Sequence, residues 1–345
     1  MSEAQQKRVF VVLGMARTGT SAISRALKVF GIHLGDALTT GNADWNPTGF
    51  WEDKDIVYGL NGKLFSRLDF APYGLLTIPD ADQTDSALDD IHHSAAAILR
   101  KRLQSANCFG FKDPSTIKVL PFWRKVFTEL KLRDDYVIAL RNPLAAARSY
   151  QKLTGCELEL CLLLWCAHLL QAVEGTAGSR RLVVSYDLLL QNPRHQLQRI
   201  GAAFDLGDAD AREEQDYAEK FLDQKLNRFQ VSHDAFSAHE AVCAASLCKD
   251  LYESLLKVAR DEWSFESTAF IERWQSIKKE YEKLYPLYCY LDHVLKQRRS
   301  LKRALRDAHK SWLWKLLSPL HRIDSYWRER RRKLRMHKRL AKAYE

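Results

Sequence analysis

The chain has 345 residues, 46% of them hydrophobic, enough for one substantial core with an appendage and too little for three domains. Its formal net charge is +10, but the excess is local: from Lys296 onward 18 Lys and Arg face four acids, so the preceding 295 residues are slightly acidic. Seven cysteines without a Cys-x-x-Cys pair argue against a disulfide or zinc framework, and no metal site is expected.

The opening MSEAQQKRVFVV runs directly into strand-like sequence, without the basic start, apolar core and cleavage site of a secretory signal, so a cytoplasmic location is expected. A strand is predicted over Arg8 to Met15 (RVFVVLGM). It runs into GMARTGTS, Gly14 to Ser21, which has the two glycines of a phosphate-binding P-loop but Thr20 where the lysine belongs. Backbone N–H groups at such a turn form an anion site with the dipole of the helix that follows. Thr18, Thr20 and Ser21 add hydroxyls, Arg17 adds charge, and Gly14 and Gly19 allow close backbone approach. The helix, SAISRALKVFG, places Ile23, Leu27 and Phe30 on one face with Gly31 as its C-cap.

The next stretch, NPTGFWEDKDIVYGLNGKLF, carries the acids Glu52, Asp53 and Asp55. Phe65 to Ser94 shows no clear period and is a candidate for acceptor recognition, and His92 and His93 are expected at the surface. Strands follow at Asn107 to Asp113 (NCFGFKD) and Asp135 to Asn142 (DYVIALRN). The second of these ends on Arg141, with Pro143 suited to the first helical position and Ser149 two turns on, so a guanidinium and a hydroxyl can converge on a second phosphate. The apolar run Leu160 to Val173, broken by His168 and Gln171, falls short of the roughly twenty residues that cross a bilayer and reads as a buried helix, with Cys156, Cys161 and Cys166 as packing residues. The last strand is Arg181 to Asp187 (RLVVSYD).

Near-continuous apolar strands alternating with helices predict a parallel sheet covered on both faces, a P-loop NTPase-like, doubly wound α/β domain over residues 1–235 whose ligands bind beyond the strand carboxyl ends. Residues 236–345 read as a helical, strongly basic extension. In it Trp274, Ile277, Tyr281, Leu284, Tyr288, Leu291 and Leu295 keep 3-and-4 spacing, and Pro286 should kink or break the helix. KSWLWKLLSPLHRI mixes Trp and Leu with flanking cations as an interfacial helix does, which points to an anionic membrane surface as partner, peripheral on the inner face; with no RNA-binding or zinc-finger signature, nucleic acid is not expected.

GMARTGTS, KDPS, Arg141 with Ser149 at spacing eight, and VSYDLLLQNP occur in an order that resembles sulfotransferases using 3′-phosphoadenosine 5′-phosphosulfate (PAPS), most closely the bacterial and Golgi-type branches that include tyrosylprotein sulfotransferases. The resemblance covers roughly Arg8 to Arg228. It implies that Arg17, Thr18, Gly19, Thr20 and Ser21 surround the 5′-phosphosulfate, that Arg141 and Ser149 bind the 3′-phosphate, and that Tyr186 lies near the nucleotide. Lys112 would contact the transferring sulfuryl group, with Asp113 capping the turn or orienting it, and Glu52 would be the base. Asp53 and Asp55 are its neighbours, and His33 is the rival from histidine-using branches. Cytosolic members close the site with a Gly- and Lys-containing loop, where this chain has FLDQKLNRFQ; Lys225 or Arg228 could supply that contact. The implied activity is sulfuryl transfer from PAPS, without a metal, to a hydroxyl of an envelope carbohydrate or glycolipid. Two alternatives stay open from the residues: a P-loop-type nucleotide or small-molecule kinase, for which Asp187 would be the magnesium carboxylate, disfavoured by the missing lysine; and a non-catalytic anion- or nucleic-acid-binding protein acting through the basic tail.

Overall fold

The computed structural model describes residues 6–42, 46–223, 227, 229–231, 233–241 and 246–311. By its contacts the chain divides into two units, Met1–Tyr288 and Cys289–Glu345.

The first unit is an α/β domain on four parallel strands, β1 (Arg8–Leu13), β2 (Cys108–Lys112), β3 (Arg133–Leu140) and β4 (Arg180–Ser185), in the order β2-β1-β3-β4. Every expected strand is present, and each stops one or two residues early because the backbone leaves the ladder to make the loops that follow. Val9 through Leu13 are wholly buried, as a central strand covered on both faces requires. The connections after β1 and β3 depart to opposite sides of the sheet, so a crevice opens at their carboxyl ends.

On one face, α1 (Thr20–Lys28) packs Ile23 and Leu27 against Phe10, Val12, Val137 and Ala139. The helix Pro193–Phe204 joins this core, where Phe204 meets Phe10 edge-on at 5.5 Å, worth about 1 kcal/mol beyond its area. The stop of α1 is a short unwinding: its last residue is Lys28, and Gly31, at φ +70°, lies two residues past the cap Val29 and donates its N–H to the Lys28 carbonyl at 2.9 Å. Phe30 is half-buried against the same core.

The other face carries the helices Leu120–Glu129 and Leu158–Gly175, and Ser246–Ala259 packs on the latter and on β4. Leu158–Gly175 is apolar enough on average to resemble a membrane span, but most of it is buried in this core. Cys161 and Cys166 pack within it as expected, whereas Cys156 precedes the helix and is half-exposed. His92 also departs from expectation. It lies on the helix Asp89–Arg102, buried edge-on against Phe122, with Nδ1 3.3 Å from Glu129, and burial lowers its pKa. His93, one residue on, is exposed.

The helix Thr268–Lys310 begins in the first unit and ends in the second. It runs through Pro286 without the expected break, losing one backbone hydrogen bond there while its 43 residues stay helical. The segments Trp312 to Glu345, including the tryptophan-rich stretch and the basic run, and Lys225 and Arg228 lie outside the described residues.

Candidate active site

The loop after β1 is shaped by three left-handed residues, Gly14 at φ +145°, Arg17 at +77° and Gly19 at +88°. Arginine pays for that conformation on the order of 1–3 kcal/mol, a strain typical of functional turns. Gly19 is the N-cap of α1, without a side-chain cap, so the first N–H groups of the helix face the crevice as donors for an anion. A Cβ at Gly19 would sit 2.4 Å from the Tyr186 ring, so the glycine is required both by its dihedral and by the close approach of that ring. Thr18 faces inward: it is fully buried, and both its N–H and its hydroxyl donate to the Met15 carbonyl, the hydroxyl at 2.7 Å.

Across the crevice β3 delivers Arg141. Asn142 caps the next helix, Pro143–Thr154, by accepting from the N–H groups of Leu144 and Ala145, and Pro143 takes the first helical position. Two turns along, Ser149 accepts a 3.0 Å hydrogen bond from Arg17 Nε, which joins the loop to this helix. Arg141 is 5% exposed. It donates to the Arg17 carbonyl at 2.9 Å and to Asn227 Oδ1 at 2.5 Å, and its guanidinium lies 5.0 Å over the Tyr186 ring. Its Nε is buried with no partner, and burial lowers its pKa against the opposing influence of Tyr186 and Asp187. A buried arginine whose close contacts are neutral, with one donor unspent, is built to meet an anion. Asp187 is engaged structurally, accepting from the Asn142 N–H at 3.3 Å and from Asn227 Nδ2 at 3.4 Å.

Arg17, Gly19, Thr20, Ser21, Arg141, Ser149 and Tyr186 together line an open cleft of about 890 Å³, mouth included. Asn46, Pro47, Thr48, Lys152 and Phe229, which none of the sequence motifs singles out, line it too. Lys152 was legible, since it lies three residues past Ser149 on one helix face. Asn46 was not: it comes from an irregular loop and donates to Ser21 Oγ at 3.1 Å.

β2 ends on Lys112, which is 2% exposed and pairs with Val12 beside the loop. Its Nζ lies 2.5 Å from Glu52 Oε1 and 3.5 Å from Ser21 Oγ, linking the carboxylate to the anion loop. Burial pushes the Lys112 pKa down and the Glu52 pKa up, in each case opposed by the partner's charge. Asp113 caps the turn, accepting from Ser115 N and from Asn61 Nδ2, both at 2.9 Å.

The structure separates the acids that the sequence leaves adjacent. Asp53 and Asp55 belong to Arg102, buried at the end of its helix: Asp53 Oδ2 accepts from Nε at 2.9 Å, Asp55 Oδ2 from Nη2 at 2.7 Å, and Asp36 takes Nη1. Glu52 alone of the three faces Lys112. His33 pairs with Asp36 at 3.2 Å and bridges Phe109, three residues upstream of Lys112 on the sheet edge, about 10 Å away along the strand.

Beside Glu52 runs part of the stretch Phe65 to Ser94. Tyr73, its ring exposed on one side and stacked on His168 on the other, has its hydroxyl pKa raised by burial and then by the charges of Asp113 and Glu52. The segment is anchored through its carbonyls: Leu75 accepts from Gln171 at 3.4 Å, Leu76 from Lys118 at 2.9 Å and Ile78 from Gln83 at 2.8 Å.

No family model and no curated protein sequence matches the chain. Among solved structures, it is similar to the sulfotransferase domain from the Synechococcus PCC 7002 olefin synthase, with 16% identity, TM-score 0.39, and 81% of this chain and 97% of that one covered. It is similar also to the sulfotransferase domain from the curacin biosynthetic pathway, with 14% identity, TM-score 0.38, and 81% and 99% covered.

Proposed function

We propose that the protein is a PAPS-dependent sulfotransferase that moves a sulfuryl group to a hydroxyl of a carbohydrate or glycolipid. The observation that carries this reading is the contact of Lys112 with both Glu52 and Ser21, which sets a base and a cation against an anion loop that has no Walker lysine. The residues fit such a donor: the partnerless Nε of Arg141, its neighbour Ser149 and the ring of Tyr186 suit a 3′-phosphorylated nucleotide, and the N-terminus of α1, which has no side-chain cap, suits its 5′ end. The donor supplies an activated sulfuryl group on a phosphate leaving group.

Glu52 takes the acceptor's proton as the new oxygen–sulfur bond forms. A carboxylate whose pKa is raised by burial is a stronger base than a solvated one, and the charge of Lys112 favours its ionised form. Lys112 and Arg17 stabilise the negative charge left on the bridging oxygen as the old bond breaks, and Thr20, Ser21 and the helix N–H groups hold the phosphate. The exposed rings of Tyr58 and Tyr73 on the Glu52 side offer flat apolar faces suited to a sugar.

Thermal stabilisation by 3′-phosphoadenosine 5′-phosphate, compared with AMP and with ATP plus magnesium, tests the reading. A hundredfold excess over Kd stabilises by about 2.7 kcal/mol. The 3′-phosphorylated nucleotide should shift the melting temperature most, and Arg141→Ala should erase its advantage over AMP. A shift with ATP and magnesium alone would instead revive the kinase.

A further inference from the structure

The second unit presents a feature that the chemistry of the first does not use. Along Thr268–Lys310, the side chains Tyr290, Val294, Leu301 and Leu305 are exposed, the last two at 71% and 56%. Their spacing puts them on one stripe of the helix, about 22 Å long at 1.5 Å per residue. Val294, Leu301 and Leu305 line a shallow groove with Gln297, Arg298 and Lys302. Arg298 and Lys302 border the stripe, and Lys296, Arg299, Arg303, Arg306 and Lys310 lie on the opposite face of the same helix with Asp292 and Asp307.

We propose that this face of the helix docks on an anionic lipid surface, with Tyr290, Val294, Leu301 and Leu305 entering the headgroup boundary and Arg298 and Lys302 reaching lipid phosphates from its border. Charge selects the occupant. Leu291, Val294, Arg298, Leu301 and Leu305 keep a 4-and-3 alternation that would also suit a second copy of the helix, but such a pairing buries Arg298 within the seam and brings two strongly basic helices together. At a bilayer the Arg298 stem lies along the apolar boundary while its head, with that of Lys302, stays at phosphate level, and the remaining cations make the far face the polar side of an interfacial helix. A nucleic acid would satisfy the cations and leave the aliphatic stripe in water. The inference rests on the described helix, independently of the tryptophan-containing segment beyond it and of the proposed sulfuryl chemistry.

Co-sedimentation of the full chain with vesicles of phosphatidylglycerol and phosphatidylcholine, against vesicles of phosphatidylcholine alone, is the test. The expected result is binding to the anionic vesicles that is at least about tenfold tighter than to the neutral ones and weakens with salt. Leu301→Glu with Leu305→Glu, and separately Arg298→Glu with Lys302→Glu, should each weaken it by about tenfold or more while leaving the melting temperature in place. The proposal is overturned if the wild-type chain ignores anionic vesicles, or if the leucine variant binds them as the wild type does. It fails equally if the variants abolish a dimer seen by light scattering, or RNA binding, without changing sedimentation.

Discussion

Glu52 and Lys112 show how much a single residue's role depends on what surrounds it. In the sequence, Glu52, Asp53 and Asp55 are three acids in four positions, and the choice of Glu52 came from resemblance. The structure gives a physical ground: Arg102 claims the other two, from a helix some fifty residues away that no local pattern reveals. Arg17, Gly19, Arg141 and Tyr186 were legible because each lies where a strand gives way to a helix, and Ser149 because it follows Arg141 by two helical turns. Thr18 looked equivalent to Thr20, and only the left-handed turn at Arg17 explains why its hydroxyl points inward. The pair predicts a pH dependence. Burial holds the Glu52 pKa above its ordinary value, and Lys112 pulls it part of the way back. In the proposed reaction Glu52 works deprotonated, so kcat/KM should fall as pH drops through that raised pKa, and the acid limb should lie above the usual carboxylate range near 4.5. Lys112→Met removes the charge that lowers it. The limb of the residual activity should then move to higher pH; an unmoved or lowered limb would separate Glu52 from the proton transfer.

At the scale of elements, apolar runs foretold all four strands, since a central parallel strand leaves little else its residues could do. The segment between α1 and the helix Asp89–Arg102 carried no such period, and its geometry is set by polar side chains reaching across the chain. Arg102 is the main tie. It is 3% exposed and joins Asp36, Asp53 and Asp55, so the turn that presents Glu52 is fastened to a helix end. Removing one partner of a buried ion cluster leaves the other charge stranded, as Asp53 would be, with no exposure of its own. Arg102→Ala should therefore cost about 3–5 kcal/mol in urea unfolding, and Arg102→Met should recover little of it, since the loss is of charge rather than of volume. A cost below about 1 kcal/mol would mean that the turn holds without the cluster.

For the molecule as a whole, alternating strands and helices predicted the layered fold, but the centre is less apolar than hydropathy suggests. His168 lies fully buried on Leu158–Gly175, with Nδ1 2.7 Å from the Leu164 carbonyl and Nε2 partnerless, and burial, helped by Lys118, lowers its pKa to about 3. Unfolding restores an ordinary histidine near 6.5, so below that pH the unfolded chain binds the extra proton, and stability is lost as pH falls from 6.5 toward 3. Between pH 6.5 and 5 this amounts to about 2 kcal/mol, at 1.36 kcal/mol per pH unit. Urea unfolding at pH 7 and pH 5 should show the loss in the wild type and not in His168→Gln; equal losses would place the acid sensitivity elsewhere.

The segment from Tyr73 to Ile78 is held to the domain by the carbonyl oxygens of Leu75, Leu76 and Ile78. Every residue type supplies a carbonyl, so those tethers survive whatever side chain stands at Tyr73 or Thr77. Divergence can therefore rewrite this lip one position at a time, changing the surface it presents while the frame that carries Glu52 stays in place.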